Sequence, residues 1–417
     1  MAGCKRKIDL RRVSAADAAR AVREPSAGNP FGPRRIYLDN AASTPVLPEV
    51  AAAMAEALAE RYGNPSSLHG AGRDARKAIE DARAVVARVL GAAPAEIVLT
   101  SGGTESDNLA LFGAAAALRG RGRHVVVSAV EHPAVLAAAR ALESDGGSLA
   151  VVGVDAEGRV SPDDVARALR PDTVLVSVML VNNETGVIQP VREIARIAHE
   201  RGVLVHTDAV QALGQIPVDV RALGVDLLTV SAHKIHGPKG SGALYVRKGT
   251  PLRPRQAGGH QEGDRRPGTE NVAGIVGFAA AASLALRDLP ARAAGIRALR
   301  DRLEAGLVER VGRVRINGAG ADRAPHITSA TVAGAGGEAL LVSLDLEGIC
   351  VSTGSACASG GAAPSHVLAA QGLSVEAAAG TLRLSLSGLT TAEEIDRAVE
   401  TLSRVAMRLR AIAPDGR

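Results

Sequence analysis

The amino-acid sequence predicts an α/β protein, with a seven-stranded and mainly parallel sheet in a large domain and a smaller α+β domain beside it. Seven short runs rich in β-branched residues follow one another between residues 96 and 246, and helical segments rich in alanine, arginine and leucine separate most of them. The chain of 417 residues also exceeds the size at which one hydrophobic core stops growing. We therefore expect a large domain over residues 49–273 and a small domain built from residues 35–48 and 274–417.

The large domain is predicted from strands and helices that alternate. The strands are expected at Glu96–Thr100, His124–Val130, Leu149–Val154, Thr173–Val181, Val203–Asp208, Asp226–Ser231 and Gly242–Val246. Helical spacing marks segments before and between them, at Val50–Glu60, Ala75–Leu90, Ala134–Leu142, Pro162–Leu169 and Val191–Glu200. Because ligands bind at the carboxyl ends of the strands in such sheets, we expect the functional residues to lie there.

The small domain is predicted from a change of pattern after residue 273. Three alanine-rich helical stretches follow, at Ile275–Leu289, Ala294–Val311 and Thr391–Arg410. Shorter strands are expected around Ala330–Val332 and Thr381–Leu386, and Arg35–Leu38 is expected to join them. Residues 1–34 are basic and contain a Gly/Pro-rich break, so we expect a loosely ordered extension outside the fold.

Composition and charge exclude several classes of protein. The shares of hydrophobic residues, 46%, and charged residues, 22%, are those of a globular protein. No run reaches the ~18 apolar residues that a membrane span needs, and no basic patch interleaved with aromatic residues supports nucleic-acid binding. Three cysteines and no recognisable signal peptide predict a cytoplasmic protein without a disulfide framework, and no metal site is predicted.

Two charged side chains stand at the ends of neighbouring predicted strands. Asp208 ends one strand, and Lys234 follows Ser231 at the end of the next. A lysine at the mouth of a buried strand is costly unless it is paired or used covalently, whereas the competing Lys239 lies in a predicted loop. Asp208 alone would also suit a helix N-cap. Together with a phosphate site, the lysine and the aspartate are what pyridoxal phosphate requires, a Schiff-base amine and an acid partner for its ring nitrogen.

The segment after Glu96–Thr100 is suited to bind that phosphate. Gly102 and Gly103 precede a predicted helix, whose N-terminus favours an anion, and Thr104 adds a hydroxyl. His132 follows another strand and offers an imidazole against which a flat cofactor could lie. The chain has no Trp, three Phe and three Tyr, so few rings compete for that role. Taken alone, a histidine in a surface turn is the simpler explanation of His132.

The three cysteines differ in their surroundings. Cys357 lies in a run of small residues that predicts an exposed loop, and an exposed free thiol is a liability unless it reacts. Cys350 has the apolar surroundings of a strand and is predicted to be inert, and Cys4 lies in the N-terminal extension. A reactive thiol near a lysine–pyridoxal site suggests chemistry in which sulfur leaves a substrate and is transferred to the protein.

Between Tyr37 and Val405 the sequence resembles the cysteine desulfurases of the NifS/IscS type, a family of class V aminotransferases that use pyridoxal phosphate. Seven motifs agree in order and spacing: Tyr37–Pro45, Gly63–His69, Thr100–Asn108, Val181–Gly186, Asp208–Gln211, Ser231–Lys234 and Ser355–Cys357. The resemblance implies a fold type I pyridoxal-phosphate enzyme. It also implies the reaction, in which sulfur is removed from L-cysteine, L-alanine is released and Cys357 carries a persulfide.

The same resemblance implies a role for each residue that contacts the cofactor. Lys234 would form the Schiff base, and Asp208 would keep the ring nitrogen protonated. Gln211 would bond the phenolic oxygen, and His132 would stack on the ring and shuttle protons. The phosphate would be bound by a set of small and polar residues, namely Gly103, Thr104, Ser231, His233 and, from a partner subunit, Thr269.

Substrate and partners follow from the resemblance as well. Asn183 and Arg383 would hold the substrate carboxylate, with the arginine as a two-point donor. The spacing from Cys357 to Pro364 matches the long-loop branch of the family, whose thiol reaches an acceptor protein. We therefore expect a homodimer that transfers sulfur to a scaffold or carrier protein, for iron–sulfur cluster assembly or thio-modification. Which acceptor is used does not follow from the sequence.

Three positions depart from the family pattern. Asp264 stands where the family usually has the glycine of Gln-Glu-x-Gly-Arg-Arg, near the expected dimer contact. Gly388 replaces the second arginine that tends to follow Arg383, and Ala358 stands where threonine is common. None of these changes affects the lysine, the aspartate or the reactive cysteine.

Two other functions remain open at this point. Another class V pyridoxal enzyme, an aminotransferase or a lyase, would leave Cys357 without a role. A Cys357→Ser change distinguishes the two, because only a desulfurase would lose alanine formation from cysteine while it keeps its cofactor spectrum. A catalytically silent assembly scaffold is disfavoured, since no core catalytic residue is missing.

Overall fold

The computed structural model describes residues 35–353 and 365–412. Its first eight strands in chain order are β1 (Ile36–Tyr37), β2 (Ile97–Thr100), β3 (His124–Ser128), β4 (Ser148–Val152), β5 (Thr173–Ser177), β6 (Leu204–Asp208), β7 (Leu227–Ser231) and β8 (Gly242–Val246). Strands β2 to β8 form one sheet in the order β2-β8-β7-β6-β5-β3-β4. All are parallel except β8, which is antiparallel to both of its neighbours. The predicted seven-stranded, mainly parallel sheet is confirmed.

Three of the predicted strands of the large sheet end earlier than the sequence indicates. The runs His124–Val130, Leu149–Val154 and Thr173–Val181 end as strands at Ser128, Val152 and Ser177. After Ser128 the chain bends, because its side-chain oxygen accepts from the amide of Val130 at 3.4 Å and donates to the Glu131 carboxylate at 2.5 Å. Single backbone bonds to neighbouring strands continue past the strand ends, since Ala129 donates to Val152 O at 2.8 Å and Leu180 donates to Asp208 O at 2.9 Å.

Helices cover both faces of this sheet. Those of the first two thirds of the chain are α1 (Pro48–Glu60), α2 (Gly70–Val89), α3 (Gly103–Ala117), α4 (Pro133–Ser144), α5 (Pro162–Ala168), α6 (Val191–Glu200) and α7 (Val220–Leu223). Side chains of α3 and α4 pack into the core on one face, and those of α2, α5 and α6 pack into the core on the other. The sheet is therefore held between two apolar layers.

Most of the elements that follow β8 build a second core. The elements after β8 are α8 (Val272–Leu286), α9 (Leu289–Gly306), β9 (Val314–Ile316), β10 (Ile327–Val332), α10 (Gly337–Leu346), β11 (Ile349–Cys350), β12 (Ser352–Thr353), α11 (His366–Ala370), α12 (Val375–Ala379), β13 (Thr381–Ser385) and α13 (Ala392–Ile412). Four strands form an antiparallel sheet in the order β12-β13-β10-β9, and β1 pairs with β11 in parallel. Helices α9, α10 and α13 supply most of the apolar helical side chains of the second core.

Helix α8 packs into the first core, although the sequence pattern predicts Ile275–Leu289 in the small domain. Ile275 and Phe278 are buried together with side chains of α2, and α8 packs closely against α1 and α2. The division of the chain into domains otherwise stays a prediction, and the predicted extension over residues 1–34 lies outside the described residues. Among the residues that the structure describes, no single helix is both long and apolar enough to cross a membrane.

One connection links the two cores and contributes to the site described below. Residues 38–45, which we term the crossing segment, lead from β1 towards α1. They are fastened to β13, because Ser385 donates its amide to Leu38 O at 2.7 Å and accepts from the amide of Ala41 on its Oγ at 2.9 Å. At the other end Thr44 donates its amide to His233 O at 2.9 Å. The crossing segment is thus fixed to both cores.

Candidate active site

The carboxyl ends of the parallel strands meet at one edge of the large sheet. Asp208 at the end of β6 pairs with Thr229 of β7. Ser231 at the end of β7 and Thr100 at the end of β2 both pair with Gly242, the first residue of the antiparallel β8. This register places the predicted carboxylate, the predicted lysine turn and the predicted phosphate loop at the same edge of the sheet.

Lys234 lies in a short helical turn, Ala232–Lys234, that directly follows β7. Its Nζ donates to two backbone carbonyls of the crossing segment, Ala41 O at 2.6 Å and Ala42 O at 2.8 Å. The side chain is half-buried, whereas Lys239, the alternative considered from the sequence, is exposed. The crossing segment therefore holds the amine at the end of the strand.

His132 and Asp208 lie close to Lys234. His132 caps α4, and its Nδ1 accepts from the amide of Ala134 at 3.2 Å, so the neutral ring carries its proton on Nε2. Burial lowers the pKa of His132, the nearby Asp208 raises it, and Lys234 lowers it. Burial also raises the pKa of Asp208, against the effects of His132 and Lys234. A cation beside Asp208 would favour its ionised form.

Gln211 is held by Ala41 and His326, for which the sequence pattern predicts no role in the site. Its Nε2 donates to Ala41 O at 2.8 Å, the carbonyl that also accepts from Lys234. Its Oε1 lies 3.2 Å from Nε2 of the buried His326. Burial lowers the pKa of His326 to about 3, so the neutral ring donates to the amide oxygen. The orientation of Gln211 is thereby fixed, with its amide at the same carbonyl as the lysine.

The loop between β2 and α3 brings backbone and hydroxyl groups together at the N-terminus of α3. Gly102 has φ +150°, a value that side chains disfavour, and a Cβ on Gly242 would lie 2.7 Å from the Gly102 Cα. The helix starts at Gly103, followed by the exposed Thr104. The buried Ser231 Oγ has no hydrogen-bond partner among the residues that the structure describes. A buried hydroxyl without a partner beside a helix N-terminus fits an anion that binds there.

His233 lies beside the crossing segment rather than in open solvent. Its Nδ1 is 3.3 Å from Ser43 Oγ, and its carbonyl accepts from both the amide and the hydroxyl of Thr44. Burial, followed by the charges of Lys234 and Lys239, lowers the pKa of His233 to about 4. The ring is therefore neutral at neutral pH and can contact a phosphate only as a hydrogen-bond donor.

Arg383 lies in β13 and is 3% exposed. Its guanidinium donates from one terminal nitrogen to Asn183 O at 2.9 Å and from the other to Asp39 Oδ1 at 2.9 Å. Its Nε has no partner within residues 35–353 and 365–412. The two residues predicted to hold the substrate carboxylate are thus neighbours, and Asp39 is a third residue of this group that was not predicted from the sequence.

Two of the predicted residues, Thr269 and Cys357, are not among the contacts described above. Thr269 is exposed, on the segment that follows the turn at 261–264. That turn contains Asp264, whose φ of +64° is a left-handed conformation that favours glycine. The aspartate therefore stands at a position to which the glycine of the family pattern is better suited. Cys357 lies outside the described residues. Cys350 is half-buried, and burial raises the pKa of its thiol, which agrees with an inert cysteine. In the described ranges no cluster of His, Cys, Asp and Glu is arranged to bind a metal.

The comparisons with known proteins agree with this arrangement. The family described as Aminotransferase class-V matches residues 36–398. A relative named cysteine desulfurase IscS, from Dictyoglomus turgidum, is 48% identical over 381 residues, which cover 91% of this chain and 97% of the relative. A solved NifS-like protein, 39% identical, superposes with a TM-score of 0.85 over 90% of this chain and all of its own. A structure of SspA in complex with cysteine has 34% identity and a TM-score of 0.75, and covers 85% of this chain and 99% of its own.

Proposed function

This chain belongs to the class V aminotransferase family, and from that premise we infer that it is a cysteine desulfurase. The observation that carries the inference is that the crossing segment binds both Lys234 and Arg383, while Asp208 lies beside Lys234. An amine and a buried carboxylate at the edge of the large sheet, together with a buried guanidinium from β13, suit an amino-acid substrate and a cationic ring. Relatives named cysteine desulfurase cover more than nine tenths of the chain, which supports the same reaction.

The residues present fit pyridoxal phosphate. Asp208 is 5% exposed, and burial raises its pKa against the effects of His132 and Lys234. A protonated ring nitrogen beside Asp208 would favour the ionised carboxylate. The unpartnered hydroxyl of Ser231 and the N-terminus of α3 would likewise receive a phosphate. We therefore propose that Lys234, Asp208, Gln211 and His132 hold the ring, and Gly103, Thr104, Ser231 and His233 hold the phosphate.

When bound, the cofactor supplies an electron sink that the protein itself does not have. Lys234 would take the proton from the substrate Cα, and the carbonyls of Ala41 and Ala42 would orient its amine. Asp208 would keep the charge of the ring positive, and His132 would carry protons through Nε2. Arg383 would bind the substrate carboxylate with the donors that its protein contacts leave available.

Sulfur transfer would then fall to Cys357. Its thiolate attacks the sulfur of the substrate, the new S–S bond forms a persulfide, and the bond between Cβ and sulfur breaks with its electron pair on the carbon side. Protons returned to Cβ and Cα complete L-alanine. A thiol reductant or an acceptor protein then takes the outer sulfur from Cys357 and restores its thiol.

We also propose the partners that the sequence predicts. A homodimer would bring Thr269 of the partner subunit to the phosphate, which accords with the exposure of Thr269 in a single chain. A scaffold or carrier protein would accept the sulfur, for iron–sulfur cluster assembly or thio-modification. The sparse cysteines, three in 417 residues, suit the reducing cytoplasm as the place of action.

The experiment that tests the function measures both products together. The purified protein, loaded with pyridoxal phosphate, is incubated with L-cysteine and a reductant, and alanine and sulfide are quantified. Equal amounts of both, lost in Lys234→Ala and in Cys357→Ser, are expected. An enzyme that binds cysteine but releases no sulfide would instead be another class V enzyme, and one that takes up no cofactor would be a scaffold.

A further inference from the structure

The guanidinium of Arg383 already carries a carboxylate from the protein itself. Asp39 Oδ1 accepts from a terminal nitrogen of Arg383 at 2.9 Å, and its side chain is 20% exposed while that of Arg383 is 3% exposed. The other terminal nitrogen donates to Asn183 O. Only Nε has no partner among the described residues. An α-amino acid that reaches this site therefore meets an arginine whose charge is shared with an internal anion.

The backbone of Asp39 is held in place by contacts with β13. Its backbone pairs with Ser385 on β13, the strand that carries Arg383 two residues away. The adjacent Asn40 donates its side-chain amide to Ser385 O at 2.9 Å, and Ala41 donates its backbone amide to Ser385 Oγ at 2.9 Å. The backbone of Asp39 is thus fixed next to the strand that carries Arg383, with the Asp39 carboxylate on the guanidinium.

A second acidic residue faces Arg383, and it is less suited to compete. Glu184 is buried, and its carboxyl accepts from Ser365 Oγ. Burial raises the pKa of Glu184 to about 7, against the effects of Ser365 and Arg383. Its charge is therefore incomplete at neutral pH, whereas Asp39 forms the direct ion pair with Arg383.

We propose that Asp39 is a positioning residue that competes with the carboxylate of the amino acid for Arg383 and thereby weakens the binding of substrate and product alike. Two carboxylates close to one guanidinium repel each other, so each lowers the affinity for the other. L-Alanine, the proposed product, has the same carboxylate as L-cysteine, so the competition speeds its release. This inference rests on the proposed function, because it concerns the amino-acid site of that reaction.

The test replaces the charge and keeps the shape. Cofactor-loaded wild type and Asp39→Asn are titrated with L-alanine, and binding is followed by the visible absorbance of the cofactor. The asparagine oxygen can still accept from Arg383, so the arginine keeps its position. Loss of the competing charge is expected to tighten L-alanine binding about five-fold. The free energy of a hydrogen bond to a charged group exceeds that of a neutral one by an amount that corresponds to roughly this factor in affinity. Binding of L-alaninol, which lacks the carboxylate, is not expected to tighten.

Controls separate this effect from damage to the fold. Asp396→Asn removes the charge of an exposed ion pair with Arg302 and is expected to leave both titrations unchanged. If Asp39→Asn does not fold, Asp39→Ser removes the same charge and is titrated in its place. Unchanged or weaker L-alanine binding would overturn the proposal, because a purely structural role predicts that outcome, and so would equal tightening of L-alaninol. Failure of the wild type to form alanine from cysteine would instead refute the proposed function.

Discussion

Arg83 and Glu262 form a buried two-point ion pair that fastens the turn at 261–264 to the large sheet. The two terminal nitrogens of Arg83 lie 2.6 Å and 2.7 Å from the two carboxylate oxygens of Glu262. Glu262 also accepts from the amide of Leu99 in β2 at 2.8 Å. Its backbone has φ +49°, an unfavourable conformation for a residue with a Cβ, which these contacts offset.

The ion pair predicts a large loss of stability when it is broken. Glu262→Ala leaves the buried guanidinium of Arg83 without its main partner, so we expect the free energy of unfolding to fall by about 3 kcal/mol. Denaturant unfolding measures the difference. The matched control is Glu347→Ala, which removes an exposed pair with Arg404 and should have little effect. Equal losses in both variants would contradict the structural role of the buried pair.

We expect removal of the Ser231 hydroxyl to lower the affinity for the cofactor specifically. Ser231→Ala removes a buried donor that has no protein partner in the described residues, so we expect pyridoxal phosphate to bind about ten-fold more weakly. Stability of the cofactor-free protein should not fall, because no hydrogen bond within the described chain is lost. The measurement is the dissociation constant of the cofactor, determined by absorbance or fluorescence.

Thr207 provides the control for this prediction. Its hydroxyl is also buried and unpartnered in the described part of the chain, but it belongs to the residue before Asp208, and side chains alternate along a strand. Thr207→Val is expected to leave cofactor binding unchanged. Equal weakening in Ser231→Ala and Thr207→Val would mean that Ser231 acts through packing and not on the phosphate.

Glu131 predicts a pH dependence of stability. Burial raises the pKa of its carboxyl to about 8, although Ser128 and Met179 donate to it. The folded state thus binds a proton that the unfolded chain releases near pH 4.5, the ordinary value for the group. The stabilising contribution of the protonated Glu131 carboxyl is complete below about pH 4.5 and is lost as the pH rises through 8. The free energy of unfolding falls over this range by at most about 1.4 kcal/mol per pH unit.

A Glu131→Gln variant isolates this effect. The amide oxygen can keep the bonds from Ser128 and Met179 but has no proton to lose, so the variant should gain stability relative to wild type as the pH rises from 5 to 8. Urea unfolding at a series of pH values provides the comparison. Parallel pH profiles for the two proteins would show that Glu131 does not titrate in this range.

Much of the fold follows from local sequence patterns. The β-branched runs predict all seven strands of the large sheet, because a buried parallel strand must be apolar along its length. Once the strands are parallel, Asp208 and Lys234 must lie at the same edge, and this part of the site follows from topology. The pattern does not predict that α8 packs with the first core, since an apolar helix can be buried against either domain.

The parts of the site that the sequence does not predict depend on backbone atoms and distant pairs. The carbonyls of Ala41 and Ala42 hold Lys234, and a carbonyl has no side-chain signature in a sequence. His326 supports Gln211 from 115 residues away, and Asp39 reaches Arg383 from 344 residues away. Each of these contacts is created by tertiary packing. The sequence signal for Asp39 is weak, because it consists only of a charged residue that follows a short predicted strand.

The most direct test of the central claim follows the sulfur atom on the protein. The cofactor-loaded enzyme is mixed with one equivalent of L-cysteine without reductant. The masses of the intact protein and of its peptides are measured by mass spectrometry, and the alanine formed is quantified. The account predicts the added mass of one sulfur atom on the peptide that contains Cys357, in proportion to the alanine formed, and neither product in Cys357→Ser. Alanine formation from cysteine that persists in Cys357→Ser, or that leaves no sulfur on Cys357 of the wild type, would contradict it.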